Sequence, residues 1–347
     1  MFTYASKGRR ELPNESFLLE GNPEALSKNG TFIGHHICVP LEGAAIHINA
    51  FNFPVWGMLE KLSPTILAGV PAIIKPASLT AYLTESVVKE IIDSKILPEG
   101  ALQLICGSSG DLLDHVDCQD IVTFTGSAGT GKMLKTSKSI VENSVRFNME
   151  ADSLNCSILG IDVTPDKEEF DLYVKEIVRE MTVKAGQKCT AIRRALVPEN
   201  MVESVINAVK TKLNKNTVGN PELENVRMGP LAGKPQVEEV RSRVLELMSS
   251  CELVSGSVDE FDVIGANKTD GAFFPTTLLY CSNPFSSNQV HDIEAFGPVS
   301  TIIPYKTTAE AIELAKRGKG SLVGSIFTNS DDVARELFLE LHLIMEG

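Results

Sequence analysis

Residues 44–75 read AAIHINAFNFPVWGMLEKLSPTILAGVPAIIK. Two short apolar runs, Ala44–Ala50 and Pro71–Lys75, bracket a stretch whose apolar residues recur at helical spacing from Val55 to Ala68. Pro54 stands at the first helical position, where its missing N–H costs nothing. The segment predicts strand, helix, strand. The pattern then continues with a helix that Ser78 or Thr80 can cap, carrying Leu83, Val87, Val88, Ile91 and Ile92 on one face and ended by Pro98-Glu99-Gly100. Strand Ala101–Cys106, a short helix near Asp111–His115, strand Asp120–Phe124, helix Ala128–Thr136 and strand Ser144–Met149 follow. Alternation of this kind implies parallel pairing with right-handed crossovers. The expected fold class is α/β, with a Rossmann-like doubly wound parallel sheet. Ligands of such sheets bind beyond the carboxyl ends of the strands, which puts Asn52, Lys75, Thr125 and Glu150 on one rim.

Upstream, residues 1–30 read as a basic, helix-like opening followed by polar, turn-rich chain, and Thr31–Cys38 as a strand. Downstream, an acidic opening (Asp166 to Glu169) leads into an amphipathic helix with Phe170, Val174, Ile177, Val178 and Met181 on one face. A second α/β series follows: strand Arg194–Val197, helix Met201–Leu213, a Gly/Pro-rich loop Val218–Gly233, helix Gln236–Met248 and strand Glu252–Val254. Strands Phe273–Cys281, Val299–Tyr305 and Leu322–Phe327, helix Ala309–Arg317 and helix Asp331–His342 complete it. We expect two domains, 1–152 and 153–347. Both ends are expected to be cut, since Leu343-Ile344-Met345-Glu346-Gly347 is still apolar in pattern.

At 347 residues and 43% hydrophobic, the chain can bury a sizeable core. Its net charge of −13 is dispersed, without the basic stripe that a phosphate backbone demands. A nucleic-acid partner is therefore not expected. Seven scattered cysteines form no CxxC pair, and the histidines (35, 36, 47, 115, 291, 342) show no ligand spacing, so no metal is expected. Scattered thiols fit a reducing, cytoplasmic setting. No run reaches the roughly 18 apolar residues of a membrane span.

One cysteine differs from the rest. Cys189 lies in Lys184-Ala185-Gly186-Gln187-Lys188-Cys189-Thr190-Ala191-Ile192-Arg193-Arg194, among four basic side chains. Nearby cations lower a thiol pKa from about 8.5 and so supply thiolate, the attacking species. The plain alternative is a small buried hydrophobe with solvated basic neighbours. Gly126-Ser127-Ala128-Gly129-Thr130-Gly131-Lys132 invites a P-loop reading, but Met133 stands where that motif needs Ser or Thr.

Five elements in order resemble the aldehyde dehydrogenase superfamily. Asn52 stands in Ala50-Phe51-Asn52-Phe53-Pro54, beside the family's Trp-Asn-Phe-Pro. Lys75-Pro76-Ala77-Ser78 is similar to its Lys-Pro-Ser-Glu, and Phe124-Thr125-Gly126-Ser127 matches its Phe-Thr-Gly-Ser turn. Cys189 sits in the Gly-Gln-x-Cys context, and Glu294-Ala295-Phe296-Gly297-Pro298-Val299 resembles Glu-Ile-Phe-Gly-Pro-Val. Longer stretches, including Met149–Asn155 and Lys184–Arg194, resemble the dehydrogenase half of the bifunctional phenylacetate-degradation ring-opening proteins, which oxidises a CoA-linked semialdehyde with NADP and is followed by a hydratase-like domain.

The resemblance implies an aldehyde dehydrogenase fold, truncated at both ends, and a homo-oligomer for the full-length protein. It implies Cys189 as nucleophile, Asn52 as oxyanion donor and Glu150 as the base that activates water for thioester hydrolysis. Cofactor contacts are implied for Phe51, Lys75, Ser78, Gly126, Ser127, Gly131, Glu294 and Phe296, with the pyrophosphate at the helix that Ser127 opens. Ser78 permits a 2′-phosphate that a carboxylate would repel, and Lys75 attracts it, so NADP is expected over NAD. One departure is plain: most members have Glu-Leu-Gly-Gly where this chain has Glu150-Ala151-Asp152-Ser153. Two other readings stand beside this one, a CoA-acylating dehydrogenase and a truncated, non-catalytic relative serving as a binding or assembly module.

Overall fold

Helix α1 (Phe2–Glu11) leads into an antiparallel pair, β1 (Leu18–Ala25) and β2 (Ile33–Cys38), in the computed structural model, which describes residues 1–341. The expectations for His342 and for Leu343–Gly347 lie outside the described residues. Strand β1 corrects the turn-rich reading of residues 1–30. Its apolar alternation is lost at Gly21-Asn22-Pro23, where Gly21 takes φ +70 and the register shifts between Glu20 and Glu24. A bulge of this kind inserts residues and hides the period of two.

The decisive segment folds as its pattern predicts: β3 (Ala45–Ile48), α2 (Pro54–Leu67) and β4 (Ala72–Lys75). There follow α3 (Ala81–Asp93), β5 (Leu102–Leu104), β6 (Ile121–Gly126), α4 (Ala128–Lys135), α5 (Lys138–Glu142), which the sequence reading missed, and β7 (Arg146–Ala151). The five strands pair in parallel in the order β5-β4-β3-β6-β7. The order reverses between β3 and β6, so the sheet is doubly wound about that point. Met58, Leu62 and Val88, from α2 and α3, pack against Ala72, Ile74 and Leu102. Ile46, Ile48, Val122 and Phe124, which alternate with the preceding set, pack with Ile140 of α5. The face of α3 is narrower than expected, since Thr84 and Val88 are buried while Leu83 and Ile92 are exposed. These elements form one compact unit, Met1–Ala151.

The second unit begins at Asp152. Its elements are β8 (Cys156–Leu159), α6 (Glu168–Thr182), β9 (Arg194–Pro198), α7 (Val202–Leu213), α8 (Lys234–Leu247), β10 (Glu252–Ser255), β11 (Thr277–Tyr280), α9 (Gln289–Asp292), β12 (Val299–Tyr305), α10 (Thr308–Lys316), β13 (Gly324–Phe327) and α11 (Asp331–Leu341). Strand β8 and the single turn α9 went unread in the sequence. The strands run β10-β11-β12-β9-β8-β13. All neighbours are parallel except β10 and β11, which form an antiparallel edge. Two apolar layers cover this sheet, one holding α6 and α7, the other α8, α10 and α11.

Among the described residues no helix is long and apolar enough to cross a membrane. Two histidines are buried, His47 on β3 and His291 on α9. Burial first, and the Lys61 charge second, push His47 down to about 4. Burial likewise holds His291 at about 4. Each is therefore neutral in the folded state and protonated at its ordinary pKa of 6.5 when unfolded. Their contribution is complete above pH 6.5 and is lost as pH falls toward 4, on the order of 3 kcal/mol for a fully buried site such as His47. Denaturant midpoints measured from pH 7 to 4 should fall steadily, and His47→Gln should flatten part of that slope.

Candidate active site

On the rim of the first unit the parallel register sets the levels. Ile48 lies opposite Lys75 and Phe124, and Thr125 opposite Glu150. Lys75 thus ends β4, Thr125 and Glu150 each stand one residue before the ends of β6 and β7, and Asn52 lies on the loop that leaves β3 for α2. Two threonines of the next segment pin that loop. Thr80 Oγ1 donates to the Phe51 carbonyl (3.0 Å) and Thr84 Oγ1 to that of Pro54 (3.2 Å). Neither Ser78 nor Thr80 caps α3 through its side chain, a correction with a clear cause, since the Thr80 hydroxyl is spent on Phe51.

Of the other predicted cofactor residues, Lys75, Ser78, Gly126, Ser127 and Gly131 lie on the same unit. Lys75 is half-buried, and its amine donates to the Pro76 carbonyl (3.2 Å). Ser78 is exposed in a single 3₁₀ turn. Gly126 ends β6, and Ser127 caps α4, bonding the Thr130 hydroxyl at 3.0 Å and accepting from its N–H at 3.5 Å. Gly131 packs against the sheet. It is buried inside α4, and a Cβ there would lie 2.5 Å from Met149 Sδ and 3.0 Å from the Phe124 ring. It lets the helix lie close on the sheet, whereas nothing lies within 4 Å of a Cβ at Gly129.

Lys61 of α2 escaped the sequence reading. Its Nζ donates to Thr125 Oγ1 (2.8 Å). Burial lowers its pKa while the charges of Glu150 and then Glu60 raise it. A lysine standing beside Met58 and Leu62 in an apolar helix was the available signal.

In the second unit, the segment from α6 to β9 carries Cys189, which is partly exposed. Lys184, Ala185 and Gly186 take φ +54, +51 and +69, three successive left-handed residues of which only the glycine adopts that region without strain. A Cβ at Gly186 would lie 2.0 Å from the Gly297 carbonyl oxygen, so glycine is obligatory. Gln187 braces the turn, its amide donating to the Lys184 carbonyl (3.0 Å) and accepting from the Ala232 N–H (2.9 Å). The Cys189 carbonyl accepts from Ser153 Oγ and from Asn155 Nδ2 (2.7 Å), and Asn155 also reaches the Ala191 carbonyl (3.1 Å).

The four basic side chains divide sharply. Lys188 forms a largely buried ion pair with Glu180. Arg194, fully buried, donates to the carbonyls of Leu154, Leu314 and Ala315 and meets His291 Nδ1 at 3.2 Å. Arg193 pairs with Glu294 at 3.1 Å. For Lys184, partial burial lowers the pKa, while the Cys189 charge raises it and the Lys188 charge lowers it. Glu294 is buried. It accepts the Ser153 N–H at 3.0 Å, and burial pushes its carboxyl up while Arg193 pulls it down. The Phe296 ring faces the Arg193 guanidinium at 5.3 Å. Among the described residues no cluster of three or more His, Cys, Asp or Glu could hold a metal.

A family model described as the aldehyde dehydrogenase family matches residues 19–344. The chain belongs to the aldehyde dehydrogenase family. Among curated relatives, it is 47% identical over 335 residues to a 3,4-dehydroadipyl-CoA semialdehyde dehydrogenase of Aromatoleum evansii, covering 96% of this chain and 65% of that protein. It superposes on betaine aldehyde dehydrogenase of Staphylococcus aureus, solved with NAD+, with TM-score 0.82 at 24% identity, covering 97% of this chain and 63% of that one. An NAD-dependent aldehyde dehydrogenase from Sinorhizobium meliloti gives TM-score 0.81 at 22% identity, with the same shares. The fold is that of aldehyde dehydrogenases, of which the chain spans just under two thirds.

Within that family the Glu150-Ala151-Asp152-Ser153 variant now has a physical account. Ser153 stands where most members carry glycine, and both its N–H and its hydroxyl are used, on Glu294 and on the Cys189 carbonyl. If Lys184 is the cation that favours the thiolate, Lys184→Met should move the pH midpoint of Cys189 alkylation by iodoacetamide upward by about one unit. Lys188→Met should leave that midpoint in place. It strands Glu180 without its partner, at a cost of about 3 kcal/mol or more, which a denaturant titration reads.

Proposed function

We propose that this chain is the catalytic part of an NADP-dependent dehydrogenase that oxidises a CoA-linked semialdehyde to the carboxylic acid. The observation that carries the reading is the Cys189 loop, whose main chain is fixed by side chains around a half-buried cysteine. The relative named for a CoA-linked semialdehyde supports the substrate class. The sequence resemblance points to phenylacetate catabolism as the source. The 153–347 part is the catalytic domain in this reading, and 1–152 the cofactor domain.

The Cys189 thiolate adds to the aldehyde carbon, and the Asn52 amide donates to the alkoxide that forms. NADP, when bound, accepts the hydride. The acyl group is then a thioester on Cys189, and Glu150 takes a proton from the water that hydrolyses it, releasing acid and thiolate. The Glu150 charge in turn raises the Lys61 amine, against the burial that lowers it. The adenosine end fits the first unit: Ser127 opens α4 beside the open Gly129, and Lys75 and exposed Ser78 stand at the end of β4. A 2′-phosphate meets an amine there and no carboxylate. Phe51, Gly126, Glu294 and Phe296 complete the proposed contacts.

Cys189→Ser should abolish oxidation, by about 10³-fold or more. Glu150→Gln should retain the first, stoichiometric release of NADPH and slow later turnovers. Initial rates should favour NADP over NAD, and free acid should form whether or not free CoA is added. A product that appears only with CoA would favour the acylating alternative.

A further inference from the structure

Resting on the reading of Cys189 as nucleophile, we propose that Arg193 is a positioning residue that clamps the nucleophile loop to the segment Glu294–Gly297. Its side chain is 4% exposed, and its guanidinium serves both segments at once. Toward the nucleophile loop, Nη2 donates to the carbonyls of Gly186 (2.9 Å) and Lys188 (3.3 Å). Toward the other segment, Nε donates to Glu294 Oε1 (3.1 Å) and Nη1 to the Gly297 carbonyl (2.8 Å), with the Phe296 ring beneath. The planar fork suits this use, because its donors leave in fixed directions that a lysine ammonium cannot reproduce.

The consequence is mechanical. The two carbonyls that Arg193 holds belong to the last residue of the left-handed turn, Gly186, and to Lys188, the residue just before Cys189. With the Cys189 carbonyl itself tied by Ser153 and Asn155, the loop has anchors on both sides of the nucleophile. Glu294 supplies the countercharge, and Ser153 N–H fixes its other oxygen. A group that contacts Glu294 or Phe296 therefore bears on the nucleophile loop through Arg193, and for Glu294 through Ser153 as well. Such a group would be an anionic, ribose-bearing cofactor in the reading above.

The test is amide hydrogen exchange by mass spectrometry together with steady-state kinetics, on the wild-type chain, Arg193→Lys and Glu294→Gln. For Arg193→Lys we expect exchange at least tenfold faster in peptides covering 184–192 and 294–298, with the rest of the second unit unchanged. We expect kcat to fall at least tenfold while the aldehyde KM stays within threefold, and Glu294→Gln to fall between wild type and Arg193→Lys on both readouts. Alkylation should still select Cys189, since unfolding would open the buried cysteines as well. Unchanged exchange in those two peptides in both variants would overturn the clamp, as would faster exchange throughout the unit. Faster local exchange in a protein whose oxidation does not depend on Cys189 would keep the clamp and overturn the catalytic reading instead.

Discussion

The carbonyl of Cys189 accepts hydrogen bonds from two side chains, Ser153 and Asn155, and much of the second unit is arranged around that fact. Carbonyls drawn into the protein leave a loop whose main chain has few ways to move. Ser153 and Asn155 come from the segment just before β8, Arg193 from the residue just before β9, and Glu180 from the end of α6. Adjacent parallel strands thereby place their leading residues around one loop. Two left-handed non-glycine residues, Lys184 and Ala185, store strain there on the order of 1–3 kcal/mol each. Such strain persists only where neighbours over-determine the conformation. The bonds from Gln187, Asn155 and Arg193 are those neighbours.

Buried charge is the second organising constraint. Arg193 and Glu294 are 4% and 6% exposed in their side chains, and Lys188 with Glu180 is nearly as deep. Desolvating such pairs costs several kcal/mol per ion, recovered only when the remaining donors and acceptors are also met. Arg193 meets three carbonyls besides its carboxylate, and Arg194 three carbonyls and a neutral histidine. Burial first, with the Arg194 charge adding to it, holds His291 neutral. These pairs are poor sources of stability compared with apolar packing. They are good sources of specificity, because only one arrangement of the two loops satisfies them.

The fold was legible wherever periodicity was clean. Ala44–Lys75 announced its strand, helix and strand, and the parallel, doubly wound sheet followed from alternation. Elements were lost where a local device broke the pattern: the bulge at Gly21 hid β1, and the five residues of α5 are too few to show a period. Strand β8 reads Cys-Ser-Ile-Leu and is buried on all four residues, so it carries no alternation to find. At the candidate site, residue identities were legible through the resemblance, but their connections were not. Nothing in the spacing pairs Arg193 with a glutamate 101 positions away, or spends Thr80 on a loop carbonyl. The packing of Gly131 was likewise hidden, because only the folded helix shows that a glycine one turn into α4 faces the sheet.

The basic run around Cys189 shows why charge counted along a sequence misleads. Four cations within eleven residues suggest a strong field on the thiol, yet a charge buried against a carboxylate is largely cancelled at any third group. Lys188 and Arg193 are cancelled in this way, and Arg194 is directed into carbonyls on the far side of β9. What remains is Lys184, carried by an unfavourable backbone conformation and partly exposed. A solvated lysine is a weak and screened source of field. The order of the loop comes instead from polar side chains, whose hydrogen bonds are made to its main chain.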